Sequence, residues 1–514
     1  MNDMKKLASI LLSRIVIFGG LILLQLSAFV VLVWKFSTYS IYFMFINMLV
    51  GFLVILWIIN NRQNPVYKLA WIIPILLFPI FGISFYLLFG MQKVNKRVTK
   101  RMEEIQIKTN SILNQDLKVM ENLKNRDIRI ANQAKYIYNA SHYPVYQNTE
   151  VEYFSSGELK FERLKEELNK AEHYIFLEYF IIEEGIMWNS ILDILIQKAK
   201  KGVDVRVLYD DLGCLQKLPY KYNEVLEGHG IKCTVFNPFV PVLSIKMNNR
   251  DHRKIVVIDG HTAFNGGINL ADEYINARPK FGHWKDSAVM IKGNAVLNFT
   301  VMFLTVWDYY NKIYEDYRDF LPRNKNHTKF ESDGFVSPYG DSPLDDETVG
   351  EMTYLNIINQ AKEYVYITTP YLILDNETVT ALCLAAKKGV DVRIITPHIP
   401  DKKYVHMVTR GYYPVLMENG VKIYEYTPGF MHGKNFVADD EVSIVGTINL
   451  DYRSLYLHFE CATWMYGSKA VLSVKEDFLE TLEQCYRMDL AYFKNMKWYV
   501  KLMYAILRVF SPLM

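Results

Sequence analysis

Two histidines in this chain, His252 and His432, each stand two residues ahead of a lysine and seven ahead of an aspartate. The first motif is His252-x-Lys254-x4-Asp259; the second, His432-x-Lys434-x4-Asp439, begins 180 positions later. In each copy a glycine follows the histidine by 14 residues and opens a turn ending in asparagine, Gly266-Gly267-Ile268-Asn269 and Gly446-Thr447-Ile448-Asn449. Matching downstream spacing is hard to reach by accident and marks an internal duplication. An imidazole serves as nucleophile or proton carrier near neutral pH, and an ammonium supplies fixed positive charge. Together they suit a phosphoryl group.

The elements that must position these groups can be read locally. Ile255-Val256-Val257-Ile258 is a β-branched apolar run, which predicts a buried strand. Residues i and i+2 of a strand share a face, so His252 and Lys254 project into one space. Upstream, the pattern predicts a helix over 162–170, a strand over 174–182, a helix over 188–201 and a strand over 203–209. Lys200-Lys201-Gly202-Val203-Asp204-Val205-Arg206 returns as Lys387-Lys388-Gly389-Val390-Asp391-Val392-Arg393. Alternating strands and helices with glycine at the helix ends indicate an α/β sheet in each half. The expected segments are 1–92, a membrane module; 93–150, a basic helical connector; 151–330, the first half; and 331–514, the second, with the boundary in the polar, Pro/Gly-containing stretch 322–346.

The doubled motif with its Gly-x-x-Asn turns resembles the phospholipase D superfamily. Tyr209-Asp210-Asp211-x-Gly213, Thr369-Pro370-Tyr371 and the run Gly446 to Ser454 are similar to the bacterial cardiolipin synthases within it. The resemblance covers roughly residues 150 to 514. It implies two α/β halves facing each other about a pseudo-twofold axis, with both His/Lys pairs in one cleft and no metal or other cofactor. The implied catalytic set is His252, Lys254, Asp259, His432, Lys434 and Asp439, although the two aspartates, at the far ends of their strands, are expected to be structural. Lys254, Lys434, Asn269 and Asn449 are the expected phosphate donors. By analogy His252 attacks phosphorus and His432 is the acid/base, an order that the near-symmetry leaves open. Asp286 and Glu460, in similar strand contexts after the asparagine turns, are the candidates for fixing the imidazoles. The implied reaction moves a phosphatidyl group from one phosphatidylglycerol to another, giving cardiolipin and releasing glycerol. A hydrolytic phospholipase D or a phosphatidylserine synthase would use the same groups. Cys214 and Thr447 depart from the family pattern, and neither is expected to touch the catalytic groups.

Composition narrows the partners. The 514 residues carry 58 basic and 55 acidic side chains, a net charge of +3, which is far from the basic excess of a dedicated nucleic-acid binder. Five scattered cysteines without CxxC spacing indicate reduced thiols, with no disulfide framework or zinc site. Three apolar runs, 15–34, 41–59 and 69–89, predict a multi-pass cell-membrane module. Pro74, Pro79 and Gly82 should break the third run. Flanking charges favour a re-entrant third run, whereas Asn64-Pro65, Pro79-x-x-Gly82 and Tyr86 to Gly90 resemble the synthases' two-helix hairpin; both readings place the residues after Gly90 on the cytoplasmic face. The cluster from Lys93 to Arg101 suits anionic headgroups. Near the C-terminus, Lys494, Lys497, Lys501 and Arg508 fall on one helical side and Leu502, Ile506, Val509 and Phe510 elsewhere, the pattern of a helix lying in a membrane surface. The expected partners are thus phosphatidylglycerol, cardiolipin and the membrane, with oligomerisation left open.

Overall fold

A computed structural model describes residues 41–61, 63–90, 96–109, 112–239, 249–322, 330, 333–345 and 347–513, with scattered positions between 23 and 35. The run 15–34 and Lys93 therefore lie wholly or largely outside the described residues, as do the side chains of Lys96 and Arg97.

The N-terminal unit is helical. Ile41–Asn60 is one helix, with side chains described from Phe45 onward. Asn64 caps the next helix, Pro65–Leu77, by accepting from Val66 N at 2.9 Å, and Pro65 occupies its first turn, where no N–H is required. Phe78, extended at φ −139°, separates it from Pro79–Phe85, so the third run breaks ahead of Pro79, whereas Pro74 sits inside the preceding helix. Gly82 permits this fold-back: a Cβ there would lie 2.5 Å from Ile75 Cα. Ile58, Tyr67, Trp71, Ile75, Ile83 and Tyr86 form the small core, with Trp71 and Tyr86 edge to face at 5.5 Å. Among the described residues no helix is long and apolar enough to cross a membrane. Phe45, Met48, Phe52 and Leu53 nonetheless expose large apolar side chains.

The remainder is a second unit holding both halves of the repeat. In the first half the strands are β1 (Thr149–Phe154), β2 (Tyr174–Tyr179), β3 (Asp204–Asp210), β4 (Lys232–Phe236), β5 (Lys254–Ile258), β6 (Thr262–Gly266), β7 (His283–Lys285) and β8 (Ala288–Gly293). The second half holds β9 (Phe335–Asp341), β10 (Tyr364–Thr368), β11 (Asp391–Pro397), β12 (Lys422–Tyr426), β13 (Gly429–Met431), β14 (Asn435–Ala438), β15 (Val442–Gly446), β16 (Glu460–Tyr466) and β17 (Cys485–Arg487). They build two mixed sheets ordered β1-β8-β6-β5-β2-β3-β4 and β17-β12-β11-β10-β14-β15-β16-β9. Each sheet has a parallel triplet (β2-β3-β4, β10-β11-β12) flanked by the antiparallel strand that comes after a motif histidine. The repeated Lys-Lys-Gly ends a helix in both halves, and Gly202 and Gly389 take positive φ of 88° and 97°, a conformation only glycine adopts freely.

The core is shared. Phe299 and Phe303, from the helix Val296–Asn311, belong to one buried cluster with Val257 of β5 and Val437 and Val445 of the second sheet. A small third sheet joins the halves directly: β7 runs parallel to β13, pairing Trp284 with Phe430 and Lys285 with Met431.

Near the C-terminus the helix Trp498–Val509 buries none of its residues. Trp498, Leu502, Ile506 and Val509 are 75%, 50%, 50% and 36% exposed along one stripe. The expected segregation of charge is only partial: Lys501 Nζ donates to Lys494 O, and the Arg508 guanidinium stacks 4.4 Å from the Tyr412 ring.

Candidate active site

Each motif histidine is set by backbone bonds to the opposite half. His252 N donates to Phe459 O at 2.9 Å, and Phe459 N donates to Arg250 O at 2.8 Å. Reciprocally, His432 N donates to Lys285 O at 2.7 Å. Phe459 and Lys285 immediately precede the two candidate carboxylates, so this crossing delivers each carboxylate to the other half's imidazole. His252 Nδ1 lies 2.9 Å from Glu460 Oε1, and His432 Nδ1 lies 2.6 Å from Asp286 Oδ2. Sequence reasoning named both carboxylates but could not see that each serves the opposite repeat.

Both imidazoles, with Asn269 and Asn449, line a single cavity of about 420 Å³. Asn269 Oδ1 accepts from Ile181 N at 3.0 Å and its Nδ2 donates to Tyr274 Oη at 2.7 Å, leaving one amide hydrogen to spare. Asn449 has a buried Oδ1 without a hydrogen-bond partner among the described residues.

The lysines are further withdrawn than strand alternation suggests. Lys254 and Lys434 are 2% and 1% exposed, and each ammonium donates to the carbonyl of its own histidine, at 2.5 Å for Lys254. Burial lowers the pKa of Lys254 to about 8, and burial together with the Lys254 charge lowers that of Lys434 to about 7. Burial and then Lys434 push His432 down to about 4, while burial and Lys254 hold His252 well below its ordinary value. The carboxylates differ. Burial raises Glu460 to about 8; burial also opposes ionisation of Asp286, but His432 and Lys434 outweigh it and keep that group below the usual range. The four converging bases thus repel one another and favour an anion between them.

Asp259 and Asp439 play no part in this cavity wall. Asp259 Oδ1 accepts from His173 N and Tyr174 N and its Oδ2 from Glu172 N, all at 2.8 Å; Asp439 repeats the arrangement with Lys362, Glu363 and Tyr364. They fasten the start of β2 and of β10.

A second correction concerns Thr447. Its hydroxyl donates to Glu460 Oε2, so this departure from the family pattern does touch the site. The equivalent Gly267 is tight instead, since a Cβ there would meet Asp286 Oδ1 at 2.2 Å. Cys214 stays apart, with Sγ accepting from Ile182 N at 3.2 Å. His252, His458 and Glu460 bring ligand-type atoms within 4.8 Å of one another, a grouping the His252–Glu460 hydrogen bond already explains. Arg250, Arg453 and His458 also line the cavity and were not foreseen. Their offsets from the two motifs were the available signal.

Two α/β halves that exchange carboxylates across a doubled His-x-Lys motif define a phospholipase D-type phosphatidyltransferase. The family model described as cardiolipin synthase, PLD-like domain, matches residues 164–307 and 354–482, and the phospholipase D-nuclease N-terminal model matches residues 49–90. The chain belongs to the cardiolipin synthases of the phospholipase D superfamily. It is 34% identical to a cardiolipin synthase of Alkalihalophilus pseudofirmus over 487 residues, covering 94% of this chain and 95% of that one. An uncharacterised protein of Streptococcus mutans is 48% identical over 464 residues, covering 90% of this chain and 99% of its own. Among solved structures, the phosphatidylserine synthase of Haemophilus influenzae shares the fold at 13% identity, with a TM-score of 0.55 over 74% of this chain and 100% of that chain.

Proposed function

We propose that the protein transfers a phosphatidyl group between two phosphatidylglycerol molecules, releasing glycerol and forming cardiolipin through a phosphohistidine. The observation that carries this reading is the pair of motif imidazoles in one cavity, each held through Nδ1 by a carboxylate of the opposite half. With Nδ1 so engaged, Nε2 is the nitrogen free for chemistry.

One imidazole attacks phosphorus through Nε2, and the bond to the departing glycerol oxygen breaks as the other imidazole protonates that oxygen. The same group then takes the proton of the incoming lipid hydroxyl, whose oxygen displaces the histidine. Lys254 and Lys434 hold positive potential at the phosphate, while Asn269 and Asn449 donate to its oxygens. An anionic diester relieves the repulsion among the four bases, so binding raises the basicity of both imidazoles. Asp286 and Glu460 set their tautomers.

The relatives named cardiolipin synthase supply the substrate class. The exposed apolar side chains of the N-terminal unit and the stripe along Trp498–Val509 support placement at a membrane, where the acceptor is concentrated. The test is to incubate purified protein with phosphatidylglycerol and assay cardiolipin and glycerol, comparing wild type with His252→Ala and His432→Ala. Wild type should form both products in equal amounts, and each variant should form neither. Phosphatidic acid as the main product would instead make the enzyme a hydrolase.

A further inference from the structure

The two halves are not chemically alike around the shared cavity. Two residues before His432 stands Phe430; two residues before His252 stands Arg250. Two before Asp286 stands Trp284; two before Glu460 stands His458. Four after Asn269 stands Glu273; four after Asn449 stands Arg453. Around His432 the neighbours are aromatic, with the rings of Trp284, Tyr274 and Phe430 at 5.3, 5.5 and 5.8 Å, and Lys280 there is paired with Glu273 at 2.7 Å. Around His252 the Phe180 ring lies at 5.1 Å, but the positions equivalent to Phe430, Trp284 and Glu273 carry Arg250, His458 and Arg453.

This end is a built site. His458 is nine-tenths buried, and Arg453 Nε donates to its Nε2 at 3.4 Å. An arginine is always a donor, so Nε2 accepts and the ring proton sits on Nδ1. That Nδ1 is buried without a hydrogen-bond partner among the described residues, and Glu460 Oε1, at 3.9 Å, is too distant to accept from it. Arg250 is 1% exposed, with a guanidinium nitrogen 3.7 Å from Asp210. Burial lowers the pKa of Arg453, which Asp451 opposes and the Arg250 charge reinforces, while burial and the charges of Arg453, Lys254, Arg250 and Lys402 all hold His458 neutral. An unmatched donor beside crowded cations seeks an anion.

We propose that Arg250, Arg453 and His458 form a second phosphate subsite, which holds the phosphodiester of the acceptor lipid while its hydroxyl meets the reacting phosphorus. The inference rests on the proposed phosphatidyl transfer. In that reaction the departing alcohol, glycerol, is neutral, whereas the incoming one carries an anionic phosphate, so the acceptor needs a cationic site distinct from the motif lysines. It also gives a reason for water to lose: only a phosphate-bearing alcohol is drawn into place.

The test compares two exchanges by the same enzyme. Cardiolipin formation uses the lipid acceptor, and incorporation of labelled glycerol into phosphatidylglycerol uses a neutral one. Arg453→Gln should lower cardiolipin formation more than glycerol exchange, by a factor on the order of ten or more, through a raised KM for phosphatidylglycerol as acceptor. Arg453→Lys should recover part of the loss, and His458→Gln should give the same split. Lys402→Gln, at an exposed position, provides a variant free of packing effects and should shift the ratio a few-fold in the same direction. If wild type makes cardiolipin but the two rates fall together in every variant, or do not fall at all, the subsite is wrong and the function stands. A wild type that makes no cardiolipin overturns the function and the subsite with it.

Discussion

Glu460 Oε1 lies 2.9 Å from His252 Nδ1, a hydrogen bond between residues 208 positions apart that joins the second half of the duplicated domain to the first. Glu460→Gln keeps the size and shape of the side chain and removes only its charge, so the fold should survive with little change in Tm. Turnover should fall by roughly 10²- to 10⁴-fold, because an amide can present its N–H to Nδ1 and favour the wrong tautomer. Cardiolipin formation by the purified variant, with a thermal melt as the folding control, decides it. Unchanged turnover would remove Glu460 from the mechanism.

The turn residues Gly267 and Thr447 occupy equivalent places, and alanine should disturb each for a different reason. Gly267→Ala drives a Cβ to within 2.2 Å of Asp286 Oδ1, so it should displace that carboxylate and lower both stability and turnover. Thr447→Ala adds no bulk but removes a donor to Glu460, which should cost about 1–3 kcal/mol in the melt. Paired melts and turnover numbers for the two variants distinguish crowding from a lost hydrogen bond.

Asp259 is expected to matter for stability and not for chemistry. Asp259→Ala leaves three backbone N–H groups without their acceptor, at a residue whose φ of 50° already disfavours a Cβ-bearing side chain. A loss of about 2–4 kcal/mol in denaturant unfolding is expected, with turnover per folded molecule close to wild type. A large fall in turnover without destabilisation would return Asp259 to the catalytic set.

Acid should weaken the fold partly through His432. Its pKa falls from 6.5 to about 4 on folding, so between those values the unfolded chain binds more protons than the native one. This share of stability is present above pH 6.5 and is lost as pH drops through about 4; it amounts to on the order of 3 kcal/mol. His432→Gln should therefore show a shallower decline than wild type across that window when unfolding free energy is measured against pH. Parallel curves would mean that His432 does not titrate differently in the two states.

The exposed stripe on Trp498–Val509 predicts a surface contact with lipid. Leu502→Glu with Ile506→Glu removes two apolar side chains worth about 1.5–3 kcal/mol each on burial and should reduce vesicle binding by tenfold or more. Flotation with phosphatidylglycerol-containing vesicles measures this, and activity in detergent micelles should be largely kept. Undiminished flotation would assign the stripe another role.

The sequence by itself determined the duplication, the α/β elements of each half, the identities of the His/Lys pairs and even Asp286 and Glu460, because spacing along a strand is a local property. The break in the third run at Pro79 was legible for the same reason. Tertiary structure alone decided what those residues do to one another. The crossing of β7 with β13, and of Asp251 with Phe459, exchanges the carboxylates between halves and gathers both imidazoles at one cavity. Burial and the neighbouring charges, which no local pattern specifies, then separate Glu460 from Asp286 in acidity and leave each lysine donating to the carbonyl of its own histidine. The contrast between a cationic end around His252 and an aromatic end around His432 is written in the chain at matching offsets. It acquires meaning only when folding turns those offsets into opposite ends of one cavity.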